Sequence, residues 1–130
     1  MRSLFSLPER GSERMLSVGF FRFVPIISVL LIVIEVGLIS WRIVPMIYGQ
    51  TVVPLHYNIH FGVDTIGDWW RIYTVPVLAL VLLILNMGLA RFFFKRDKAL
   101  AYMAAGATLL LEVILFVASL FIILLNISYG

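Results

Sequence analysis

The residues with chemical potential fall into two sets. The first is a run of four at regular spacing, His56, His60, Asp64 and Asp68, in the segment Gln50–Trp70. Positions four apart share one face of a continuous helix, and imidazole with carboxylate is a ligand set for zinc or another divalent cation. His56, His60 and Asp64 are therefore the candidate metal ligands, and a metal-dependent membrane enzyme is one reading. Against it, Gly62 and Gly67 interrupt the run, and neither a third histidine nor any cysteine is present. The plainer expectation is an ordered polar loop punctuated by Pro54, Asn58, Gly62 and Gly67. In that loop residues 64–67 form a turn, and Asp68 caps the helix that follows.

The second set is Glu35, Glu112 and Asn86, each inside a long apolar run. Counted from Arg22 and Lys98 on the inner side, Glu35 lies about 19 Å and Glu112 about 21 Å along its helix at 1.5 Å per residue. The two carboxyls are thus expected at one depth. A charged carboxylate at mid-bilayer costs about 2.5 kcal/mol or more. Three readings are open. Both are protonated and hydrogen-bond across helices; or Glu35 reaches Arg42 on the same face; or the pair forms a proton or cation relay, since two close carboxyls raise one pKa. Asn86 is expected to be packing glue.

What must position these residues is set by composition. The chain has 130 residues, 62% hydrophobic and 13% charged, against about 45–50% and about 25% in soluble domains. So much apolar surface cannot be hidden inside a chain this short, and disorder needs the opposite balance. The absence of cysteine removes thiol catalysis, thiolate metal sites and a disulfide scaffold. The predicted fold is therefore all-α: an integral-membrane three-helix bundle, one domain, with a structured extracytoplasmic loop between helices 1 and 2. The spans are expected at 24–46, 73–94 and 99–125, each near or above the roughly 20 residues a bilayer needs. Pro25 and Pro76 fall early in their helices, where a missing N–H costs little. Residues 1–23 form a basic segment, with Ser12 as N-cap of a short amphipathic helix on the inner leaflet. The first span is expected to stay as a signal anchor.

Orientation follows from the cations. Eight of the ten lie before the first span or around residues 91–98, leaving Arg42 and Arg71 on the other side. By the positive-inside rule the N-terminus and the 95–98 loop are cytoplasmic. The 47–72 loop and the 126–130 tail are then extracytoplasmic, in a multi-pass protein of the cell inner (plasma) membrane. Trp41, Trp69 and Trp70 with Tyr48 and Tyr73 form the outer aromatic belt. The net charge of +3 is a topology signal, with no nucleic-acid partner expected.

The string from Val53 to Asn58, then Gly62–Asp64, resembles a motif of the domain of unknown function at the N-terminal end of SdpI-type bacterial membrane proteins. That motif is Leu/Ile-Pro-x-x-His-Phe/Tyr-Asn-x-x-Gly-x-x-Asp, placed between the first two transmembrane helices. The matching positions are Pro54, His56, Asn58, Gly62 and Asp64, with departures in spacing; one residue separates Pro54 from His56. The likeness covers about a dozen residues and the helix arrangement. It implies immunity to, or sensing of, a secreted peptide toxin, with those five residues as binding candidates.

The function expected first is a binding or sensing module that meets an extracytoplasmic peptide or protein through its outer loop. The alternative is a proton- or cation-translocating or accessory subunit using Glu35 and Glu112. The metal-dependent enzyme ranks last: no Gly-rich phosphate loop, serine elbow or HExxH string is present. No cofactor is expected. The lipid bilayer is the certain partner of this reading, with a homo-oligomer or larger membrane complex open.

Overall fold

The computed structural model describes the backbone of residues 9–49 and 52–129, and side chains within 18–49 and 52–128. The order is α1 (Glu9–Ile43), a 3₁₀ turn (Val44–Ile47), β1 (Val52–Asn58), β2 (Gly62–Asp68), a second 3₁₀ turn (Trp69–Tyr73), α2 (Thr74–Phe93) and α3 (Lys98–Tyr129). All three helices are long and apolar enough to cross a membrane. At 1.5 Å per residue they run about 52, 30 and 48 Å.

Three expectations need correcting. The fold is mostly helical but not all-α, because the segment between helices 1 and 2 is an antiparallel hairpin. Pro25 does not open a helix: α1 is already helical from Glu9, so Pro25 is internal and leaves the Phe21 carbonyl without its i+4 donor. Ser12 lies within the same unbroken helix, so no separate short helix starts there. The side chains proposed for its amphipathic face before residue 18 lie outside the described residues. Pro76 is the third residue of α2, as its missing N–H requires.

The bundle closes on small and polar side chains. On α3 the buried positions are Ala101, Ala105, Thr108, Glu112, Ser119, Ile123 and Asn126, spaced at threes, fours and sevens. On α1 they include Val24, Ser28, Glu35, Ile39 and Ile43, and on α2 Ala79, Leu83 and Ala90. Alanines fully buried on facing helices let backbones approach closely, as helix association in lipid demands. The outer faces are the reverse of a soluble protein's: Phe23, Ile26, Ile84, Met103 and Phe121 are all more than half exposed. Residues with this arrangement are stable where the surroundings are themselves apolar.

The connection from α2 to α3 is tight. Phe93 O accepts from the backbone N–H of both Arg96 and Asp97 at 2.8 Å. Asp97 Oδ1 then accepts from Ala99 N (2.9 Å) and Leu100 N (3.3 Å), an N-cap for α3. Near this end Phe20, Phe21, Phe94 and Tyr102 form an aromatic cluster with ring centroids 5.1–5.7 Å apart.

The hairpin sits on the opposite end. Val53 is 4% exposed and joins Ile39, Ile43, Ile72 and Ile123 in one apolar cluster, with Leu55 packed against it. Ser40 Oγ and Tyr73 Oη lie 2.9 Å apart and tie α1 to the turn that leads into α2.

Candidate functional site

The hairpin is built by its turn. Asn58 Oδ1 accepts the backbone N–H of His60 at 2.9 Å, and Gly62 takes φ +77°, a conformation that favours glycine. Asn58 pairs with Gly62 across a three-residue loop, Ile59–Phe61. Two positions of the SdpI-like motif, Asn58 and Gly62, are therefore turn formers. A third, Pro54, pairs with Ile66 in the ladder, and its carbonyl accepts from Asn126 Nδ2 on α3 at 2.8 Å.

The remaining two come together. The pairing is regular about His60 except that His56 faces Thr65 rather than Asp64, so that Leu55 and Asp64 are left without ladder partners. Such irregularities re-aim side chains. Here Asp64 turns onto His56, whose Nδ1 donates to Asp64 Oδ1 at 2.7 Å. That bond holds the Asp64 carboxyl below the usual carboxylate range, helped by the charge of the ring. Leu55 turns toward the bundle and closes on Gly67: a Cβ built on Gly67 would lie 2.6 Å from Leu55 Cδ1. A side chain at 67 would have to displace the end of Leu55.

The helical stripe His56, His60, Asp64, Asp68 does not form. His60 is exposed at the turn beside Phe61, and among the described residues no three His, Asp or Glu gather as a metal set. Residues 64–67 are strand rather than turn. Asp68 occupies the N-cap position of the 3₁₀ turn but makes no capping hydrogen bond; its carboxylate lies 4.0 Å from Arg71 Nε.

Next to the His56–Asp64 pair runs a groove of about 600 Å³ between β1 and α3. Leu55, His56 and Tyr57 form one wall, and Phe121, Ile122 and Leu125 the other. The hairpin also exposes Ile59 (82%) and Phe61 (83%) at its turn, and Ile66 (62%) opposite Pro54.

The intramembrane set resolves differently. Glu35 and Glu112 are each 2% exposed, but Glu35 meets α3 at Ser119, seven residues and about 10 Å beyond Glu112, rather than at the common depth expected of the two. They are not joined to one another. Ser119 Oγ donates to Glu35 Oε1, while Glu112 Oε1 and Ser28 Oγ are buried and have no hydrogen-bond partner among the described residues. Glu35 does not reach Arg42 either, whose guanidinium stacks over the Trp41 ring at 4.7 Å. Asn86 is half-buried on α2, in line with the buried Leu83 and Ala90.

Sequence reasoning missed Ser28, Ser119 and Asn126. The signal was there: Glu112, Ser119 and Asn126 are seven apart, as are Ser28 and Glu35. Seven residues are close to two helical turns, which puts each series on one face.

Compared with protein-family models, with curated proteins and with solved structures, the chain matches none.

Proposed function

We propose that this is a small three-pass membrane protein that works as a binding or sensing module. Its hairpin faces the extracytoplasmic side, and the N-terminus and the α2–α3 turn face the cytoplasm. The distribution of Lys and Arg and the three apolar helices support this placement. The observation that carries the binding role is the exposed apolar surface of the hairpin, Ile59 and Phe61 at its tip with Ile66 further along β2, together with the groove between β1 and α3. An apolar surface turned to water marks a surface that a partner covers. A peptide with its own apolar stretch fits both the tip and the groove, in agreement with the SdpI-like motif. His56 and Asp64 hold the local shape of β1 beside the groove.

The test is a photo-crosslinking amino acid at Phe61 or Phe121 in living cells exposed to secreted membrane-active peptides, scored beside survival of a deletion strain. A crosslinked peptide together with increased killing of the deletion strain is the expected result. Unchanged survival with no crosslinked species refutes the reading.

A second reading, an ion-translocating or accessory subunit, is favoured by one observation: the buried Glu112 Oε1 has no hydrogen-bond partner among the described residues. Glu112→Gln and Glu35→Gln in reconstituted vesicles decide it; a parent protein without flux ends the idea.

A further inference from the structure

We propose a second binding site at the end opposite the hairpin: a groove between α1 and α2 that takes an anionic glycerophospholipid. It rests on the membrane placement proposed above but not on the peptide-binding role. The groove has a volume of about 740 Å³. Three cations line it, Arg22 from α1 with Arg91 and Lys95 from the end of α2, and none of its lining residues is acidic. Among the described residues none of the three cations has an ion-pair partner within 4.0 Å. The one acidic side chain nearby in sequence, Asp97, is engaged in capping α3.

Between the cations the walls are apolar, made by Phe21, Pro25, Met87 and Phe94. The floor is open at Gly88, where a Cβ would meet nothing within 4 Å. Pro25 belongs to this wall and leaves α1 one hydrogen bond short beside it.

The combination selects the occupant. A soluble anion has no use for an apolar trench more than one residue deep. A neutral lipid leaves three cations without a counter-charge. A phosphodiester head bonded to the guanidinium groups, with an acyl chain laid against Pro25 and Gly88, satisfies both halves. Arginine is the side chain best suited to hold phosphate oxygens in pairs. Basic recesses between helices on the cytoplasmic side are where acidic headgroups dock.

The experiment uses the full chain, delipidated in detergent, and native mass spectrometry with phosphatidylglycerol and phosphatidylcholine of identical acyl chains. Phosphatidylglycerol is expected to be retained in preference. Arg22→Gln, Arg91→Gln and Lys95→Gln should each reduce that preference by about fivefold, the effect of one cation near an anionic headgroup. Lys95→Arg should keep it, and Arg42→Gln at the other end should leave it unchanged. Gly88→Trp, which fills the trench without touching charge, should weaken retention of both lipids while circular dichroism reports intact helices. Equal retention of the two lipids overturns the proposal, as does an equal loss in Arg42→Gln. So does competition by glycerol phosphate at the lipid's own concentration, which would mean an anion site, or a dimer abolished by Gly88→Trp with lipid retention intact, which would mean a second copy in the groove. Failure of the chain to enter liposomes at all would instead remove the membrane placement.

Discussion

Replacing Asn126 by leucine isolates what fastens the hairpin to the bundle. Asn126 is 3% exposed, and its Nδ2 donates to two carbonyls, Pro54 O at 2.8 Å and Ile122 O at 2.9 Å. Only the first crosses from α3 to the hairpin. Leucine keeps the volume and removes the donor. A net hydrogen bond contributes about 1 kcal/mol, and a half-buried carbonyl left dry adds to the loss, up to about 3 kcal/mol in the worst case. A value of about 1–2 kcal/mol multiplies the open population roughly 5- to 30-fold. Hydrogen exchange by mass spectrometry in nanodiscs reads that population directly, as faster exchange over residues 52–68 with α2 unaffected. Val53→Ala is the comparison, since it removes two methyl groups from the apolar cluster at about 0.8 kcal/mol each. If Val53→Ala opens the hairpin and Asn126→Leu does not, apolar docking alone holds it and the reasoning about Asn126 is wrong.

Three further outcomes follow from the same geometry. Asp64 should titrate below the ordinary value of 3.8, and His56→Ala should raise it, as read by carboxyl-carbon NMR. Because the folded value is the lower one, the pair's contribution is present above 3.8 and is lost as pH falls through the folded value. Gly67→Ala should displace the Leu55 side chain at about 0.5–1.5 kcal/mol, the cost of an off-rotamer leucine, and should cost less in a Leu55→Ala background; strict additivity in that double-mutant cycle argues against the contact. Ser119→Ala should weaken the bundle by about 0.6 kcal/mol, and by no more than about 1.7, measured by unfolding in SDS; no change means that Glu35 finds another partner at no cost.

Much of the helical architecture was legible because apolar runs of twenty or more residues have few other uses. The hairpin was not. Its first strand, Val52–Asn58, carries a proline, and its second, Gly62–Asp68, holds two glycines and two aspartates, a composition that reads as turns. What makes it a strand is tertiary: Gly67 admits Leu55, and Asn126 reaches Pro54 from some seventy positions away. The four-residue spacing of His56, His60 and Asp64 carried a second meaning as well. Residues equidistant from His60 meet when the chain folds back on itself, and it is this mirror symmetry, rather than a helical face, that the hairpin uses. In the helices, interest in the two glutamates hid the series that contains them. Glu112 is one member of a polar set repeated every second turn, and Ser119 supplied the hydrogen bond that Glu35 needed.

The partner of Glu35 lies 84 residues later in the chain. On the three-pass reading, synthesis at about 5–20 residues per second leaves roughly 4–17 s in which Glu35 has been made and Ser119 has not. Through that interval a lone carboxyl must wait in, or beside, the lipid. Delivery of this protein into a membrane is therefore expected to lean on whatever machinery shelters a half-made helix until its third companion arrives.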